Sequence, residues 1–307
     1  MSNTVGAPAL FPRHIAALIL ATLACSFAAN HIAARIAFDH DTGLLLAMLC
    51  RAGVTLLALS ALVLWRRESL RLSRATWRWQ ILLGVLITVQ SFCIYSAVAR
   101  IPVALALLVV NLSPILLALL TWALGGPRPT RQALAIMGLI LVGLVLVLDV
   151  PTRLINSEVP DGQWVAGILF SLTAAWVFAV ALWVTEHKLS GMAGSVRSML
   201  TLVVVFGASA LLGASGLIPG GLGLPSATVG WVALGCLVLL YGAAFSTLFI
   251  FMPRLNIARN APVMNMEPVA GMLLGWLVLG QLLGPLQIVG GLIVVGGIVL
   301  LAYRKTA

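Results

Sequence analysis

Two charged residues of this 307-residue chain stand inside apolar runs, where charges are expensive. Glu267 is the one acid of eight well within such a run, and Arg51 is the basic residue nearest the middle of another. A charge at the centre of a membrane-spanning helix costs about 2.5–3.5 kcal/mol on insertion scales, so each needs a partner, a wet cavity or, for the acid, a proton. Glu267 can hold a substrate amine or carry a coupling proton. Alternatively, its protonated side chain satisfies backbone groups freed by Pro268. Arg51 can attract a substrate carboxylate, or lock helices by pairing with Glu267 or with carbonyls, the structural role being the expected one.

Polar residues at fixed spacing give the other candidates. Asn111 and Asn265 each precede a proline by three positions, Pro114 and Pro268. Proline removes a helix hydrogen bond, and the freed carbonyl can be met by asparagine or by a ligand; helix-bend chemistry is expected over substrate contact. Thr22, Ser26 and Asn30 share one helix face with His31 adjacent, and Thr88, Ser91 and Tyr95 share another with Gln90 beside them. In lipid these faces must turn toward protein or water. Thr173, Trp176, Val180, Trp183 and His187 line a third face, and Tyr241, Ser246 and Thr247 lie together on a fourth segment. Trp183, His187, Trp65, Trp77, Trp79 and Trp164 suit an interfacial belt. Trp176 lies deeper and can form a pocket wall by stacking or cation–π contact, or simply pack. The candidate substrate contacts are therefore His31, Gln90, Ser91, Tyr95, Asn111, Trp176, Tyr241, Asn265 and Glu267. Arg51 and Glu267 are the structural or coupling charges, and Pro114 and Pro268 the bends.

The elements that position these residues follow from composition. The chain is 62% hydrophobic and 8% charged, against about 45–50% and about 25% for soluble domains. It cannot coat a globule with polar residues, and is read as an all-α polytopic membrane protein. At about 20 residues per crossing, ten helices are expected near 14–36, 42–65, 79–99, 102–124, 131–149, 163–185, 193–217, 228–252, 257–280 and 284–303. Residues 150–162, with Pro151 and Pro160, read as an extracytoplasmic linker, and Gly216 to Gly223 as a turn. Arg13 and His14 before an apolar stretch resemble a signal peptide start, but the run continues to Ile36 and reads as a retained span. Cys25, Cys50, Cys93 and Cys236 lie in apolar runs as packing residues.

Net charge +10 does not imply nucleic acid, because the basic residues flank apolar segments as the positive-inside bias requires. With the N-terminus inside, thirteen Lys and Arg fall in inner segments and three (Arg35, Arg100, Arg153) in outer loops. Both termini are expected in the cytoplasm, at a bacterial inner membrane.

The halves resemble one another. A shift of 154 lays Arg100 on Arg254, Asn111 on Asn265, Pro114 on Pro268, Trp122 on Trp276 and Gly126 on Gly280. Five helices is an odd number, so the copies at 14–149 and 163–303 must enter from opposite sides. Inverted repeats around a central midplane cavity are typical of alternating-access transporters. Gly138, Gly143, Gly290, Gly291, Gly296 and Gly297 allow the fifth and tenth helices to pack closely as a scaffold.

Arg51 in Leu-Cys-Arg-Ala-Gly, Tyr95-Ser-Ala-Val-Ala-Arg leading to Asn111-Leu-Ser-Pro114, Met266-Glu267-Pro268 and Gly275-Trp276-Leu-Val-Leu-Gly280 carry a resemblance over about 14–303. The chain resembles the drug/metabolite transporter superfamily, in its ten-helix form with two EamA-type repeats. That family commonly has an acid after Leu-Gly at the ends of the fourth and ninth helices; Pro127 and Gln281 hold those places here. The resemblance implies a secondary transporter exporting small metabolites such as amino acids, or drugs and other metabolites. A membrane-embedded lipid-modifying enzyme is the opposing class. It would need clustered acid–base or metal-ligand groups, and His14, His31, His40 and His187 are scattered. The expected partners are a small-molecule substrate and the bilayer, with no cofactor, metal or nucleic acid.

Overall fold

The computed structural model describes residues 10–303 except 71, 127, 150, 153–160, 219, 252–253, 256–262 and 264–265. Its described helices are α1 (Arg13–Asp39), α2 (Leu44–Trp65), α3 (Arg74–Val98), α4 (Val103–Val110), α5 (Ser113–Ala123), α6 (Arg131–Val147), α7 (Gly162–Lys188), α8 (Gly194–Ser215), α9 (Thr228–Phe251), α10 (Met266–Leu279) and α11 (Pro285–Tyr303). No strand occurs among the described residues. Seven stretches are long and apolar enough to cross a bilayer, α4 and α5 together forming one of them. Arg131–Val147, Met266–Leu279 and Pro285–Leu300 are shorter apolar helices. Leucines such as Leu57, Leu211, Leu282 and Leu292 are largely exposed, which suits a surface solvated by lipid.

Several boundaries depart from the sequence expectation for local reasons. The third helix starts at Arg74 rather than 79, because Ser73 caps it by accepting the Thr76 N–H at 3.1 Å. That cap lets Trp77 and Arg78 extend the helix beyond its apolar stretch. The first helix runs on to Asp39, with Arg35 Nε donating to Asp39 Oδ2 at 3.0 Å one turn away. Asp161 caps α7 by accepting the Trp164 N–H at 2.6 Å.

The expected span 102–124 is broken. α4 ends at Val110 and α5 begins at Ser113, with Pro114 in its first turn. Proline has no N–H for the Val110 carbonyl, and Ser113 Oγ donates to that carbonyl instead. The expected helix 257–280 is described as α-helix only from Met266. Residues 256–262 and 264–265 lie outside the described residues, and Pro268 is buried within α10. Pro114 opens a helix, where a kink was expected from sequence.

Helices of the two halves interdigitate. α1 packs on α9 and α10, α2 on α8, α3 on α7 and α8, and α6 on α11. Glycines permit the last contact: a Cβ at Gly290 would sit 2.6 Å from the Gly143 carbonyl oxygen, and one at Gly297 would collide with Ile140. The main apolar core runs from Ile32 and Met48 through Leu108 and Ile140 to Leu237 and Ile298. Tyr95 is its largest fully buried side chain.

Candidate substrate site

Five helices bring polar side chains into that core. α1 supplies Phe27, Asn30 and His31, α2 supplies Arg51, and α3 supplies Ser91 and Tyr95. From the second half come Tyr241 and Phe245 on α9 and Glu267 on α10.

Arg51 is the centre. Its residue is 4% exposed, and Nη2 donates to Ser91 Oγ at 2.9 Å. The guanidinium carbon lies 4.8 Å from the Tyr95 ring centre and 4.2 Å from that of Tyr241. Cation–π attraction of this kind is worth about 2 kcal/mol when desolvated, while burying an ion costs several kcal/mol. The rings alone do not compensate the charge. Arg51 Nε is buried without a partner, and no described carboxylate lies within 4.0 Å of the guanidinium. The sequence-level option of an Arg51–Glu267 lock is therefore not the arrangement found.

Glu267 turns to His31 instead. Its Oε1 lies 3.6 Å from His31 Nε2, with side chains 25% and 12% exposed. The carboxylate stands near the first described residue of α10, Met266. His31 Nδ1 is buried and unpartnered.

The surrounding residues hold this geometry. Asn30 Nδ2 donates to the Leu237 carbonyl at 2.7 Å, tying α1 to α9, and its Oδ1 lies 3.5 Å from Tyr95 Oη. Tyr95 meets His31 and Phe38 edge to face at 6.0 and 5.6 Å. Tyr241 stacks on Phe245 at 5.0 Å, and Phe27 meets both edge to face. The residues expected to line an open central cavity thus pack against one another. An open apolar cavity of about 500 Å³ lies between α2 and α8 and is lined by Leu49, Cys50, Gly53, Val54, Leu56, Leu57 and Phe206. Among the described residues no group of three or more His, Cys, Asp or Glu gathers as a metal site.

The structure brings together five of the nine expected contacts, His31, Ser91, Tyr95, Tyr241 and Glu267, while Gln90 is half-buried on α3. Asn111 is spent locally, its Nδ2 donating to the Leu107 carbonyl at 2.9 Å. Asn265 lies outside the described residues. Trp176 is corrected: it is 48% exposed in one stripe with Val165, Leu169 and Leu172, so it faces lipid rather than a pocket. A single tryptophan carries no sign of which way its helix is turned.

Sequence reasoning passed over Asn30 as a site residue, and Phe27 and Phe245 altogether. Phe27 and His31 stand at i, i+4, as do Tyr241 and Phe245, and that shared face was the available signal. Gln281, in the place of the family's acid, accepts the Val103 N–H at 3.2 Å through Oε1 and so caps α4 from the other half. Pro127 lies outside the described residues.

Comparison with known proteins places this architecture. The sequence profile of the EamA-like transporter family matches residues 14–149 and 165–303. No curated protein matches the chain. Among solved structures, a protein crystal structure aligns with a TM-score of 0.62 and 23% identity, over 96% of this chain and 100% of the other, a likeness of fold. The two family segments span nearly all of the sequence, and the chain belongs to the EamA-like transporter family, membrane transporters of small molecules.

Proposed function

We propose that this protein is a secondary transporter exporting amino acids or similar small metabolites across the cytoplasmic membrane by alternating access. In this reading ten crossings form two inverted repeats, 14–149 and 163–303, joined by an extracytoplasmic linker, with both termini in the cytoplasm. The helix packing supports it. α1 pairs with α9 while α3 pairs with α7, and α2 pairs with α8 while α6 pairs with α11. Exchanging the two halves turns the first pair into the second and leaves the others unchanged, as a two-fold axis requires.

Loop contacts agree with alternate crossing. Gly43 N donates to the Gly223 carbonyl at 2.8 Å and Ser226 N to the His40 carbonyl at 3.0 Å, joining two loops that alternate crossing assigns outside. Ser195 Oγ donates to Glu68, joining two segments assigned inside.

The observation that carries the substrate class is the presence of opposite charges, not paired with each other, in one cluster built by both halves: Arg51 from the first, Glu267 from the second. A zwitterion presents matching charges to such a site. In proteoliposomes, a panel of amino acids, sugars, nucleosides and cationic drugs should show counterflow for amino acids. Absence of amino-acid flux with and without a pH gradient would sink this reading.

A further inference from the structure

Resting on that reading of the site, we infer that Arg51 is a seat for a carboxylate of the cargo, so a carboxylate is the group every transported molecule must carry. A guanidinium has five N–H donors and no acceptor. A purely structural buried arginine spends them on carboxylates or carbonyls, since an uncompensated buried charge is strongly destabilising. Here Nη2 donates to Ser91 Oγ, the neutral Tyr95 side chain takes a further hydrogen bond, Nε has no partner, and the flanking groups are the rings of Tyr95 and Tyr241. The nearby carboxylate of Glu267 is turned toward His31. Among the described residues no carboxylate compensates this desolvated cation.

The remaining features suit a carboxylate as that anion. Arginine's planar fork matches two carboxylate oxygens at once. The Tyr95 and Tyr241 rings lie 4.8 and 4.2 Å from the guanidinium carbon, and arginine can stack on aromatic rings while its edge hydrogen-bonds a carboxylate. His31 Nδ1 is a second buried polar atom without a partner in the same cluster. Cargo binding would supply the missing charge, and Glu267 with His31 would then meet the cargo's polar or cationic end. An amine without a carboxylate would face Arg51 with like charge.

Three matched probes test this: L-leucine, 4-methylpentanoate (leucine without its amine) and 3-methylbutylamine (leucine without its carboxylate). Thermal unfolding of the detergent-purified full chain should rise with the first two and not with the third. Losing charge-assisted hydrogen bonds in Arg51→Gln should weaken the carboxylate response roughly 10- to 100-fold, and Arg51→Lys, which keeps the charge without the fork, should fall between. Equal protection by the amine, no response to either carboxylate, or an Arg51→Gln response within about twofold of wild type would overturn the assignment. Should Arg51→Gln fail to fold, Arg51→Lys and the wild-type comparison decide. Flux in proteoliposomes separates the two readings. Transport of carboxylate-free compounds alone overturns the Arg51 seat and leaves a transporter, whereas carboxylate protection without amino-acid flux keeps the seat and removes the amino-acid exporter.

Discussion

Replacing Gly290 by alanine tests how the two halves are held together along α6 and α11. A Cβ at Gly290 would stand 2.6 Å from the Gly143 carbonyl oxygen and from Val147 N, and 2.8 Å from Leu146 Cβ. Ordinary contact begins near 3.4 Å, so the helices must part locally by about 0.8 Å, enough to forfeit a quarter to a half of the dispersion energy across the gap. The obstructing atoms are mostly backbone and cannot rotate away. Overpacking of this kind costs about 1–3 kcal/mol. At roughly 2–4 °C per kcal/mol, the melting temperature in detergent should drop by about 2–12 °C. Gly296 on the same helix is the control, because a Cβ there meets nothing within 4 Å. Alanine is the better helix former by about 0.5–1 kcal/mol, so Gly296→Ala should leave the melt unchanged or raise it slightly. Equal melting of the two variants would refute the close-packed scaffold and the reasoning from Cβ contacts.

Other residues give sharper functional readouts. Glu267→Gln removes the carboxylate facing His31, with Arg51, Tyr95 and Tyr241 the other charged or titratable groups of the cluster; export should lose its response to an imposed pH gradient, and an unaltered response would take Glu267 out of coupling. Gln281→Ala strands the Val103 N–H and should cost about 1 kcal/mol in the same melt, whereas Gln281→Glu keeps an acceptor and should melt like wild type; equal losses would show that the cap is not what Gln281 contributes. Trp176→Leu exchanges one apolar lipid-facing side chain for another and should leave counterflow rates unchanged. A loss of substrate affinity there would return Trp176 to the pathway.

Much of the site was legible before any helix was placed. Glu267 and Arg51 stood out because charge in an apolar run is costly wherever the run ends up, and His31, Ser91, Tyr95 and Tyr241 because polar side chains in lipid-spanning segments must turn inward. The partners were not legible. Arg51 and Glu267, the two obvious opposite charges, are not paired; Glu267 meets His31 from 236 positions earlier in the chain. Nor did spacing foretell that Pro114 would open a helix, since the same residue bends a continuous helix or begins a new one according to what satisfies the preceding carbonyls.

The sequence by itself determined the solvent, the helical class and the internal repeat, because each depends on local composition or on comparison of the chain with itself. Tertiary structure decided rotation and partnership. Trp176 faces outward because Gly167, Ser171, Ala174 and Ala175 supply the small face on which α7 packs, and the angle at which a helix turns toward its neighbours is settled by such surfaces jointly. Arg51 meets two tyrosines because α2 packs beside both α3 and α9. Burial energy reports that a side chain must leave lipid, but only the packing of distant helices selects which groups it finds there.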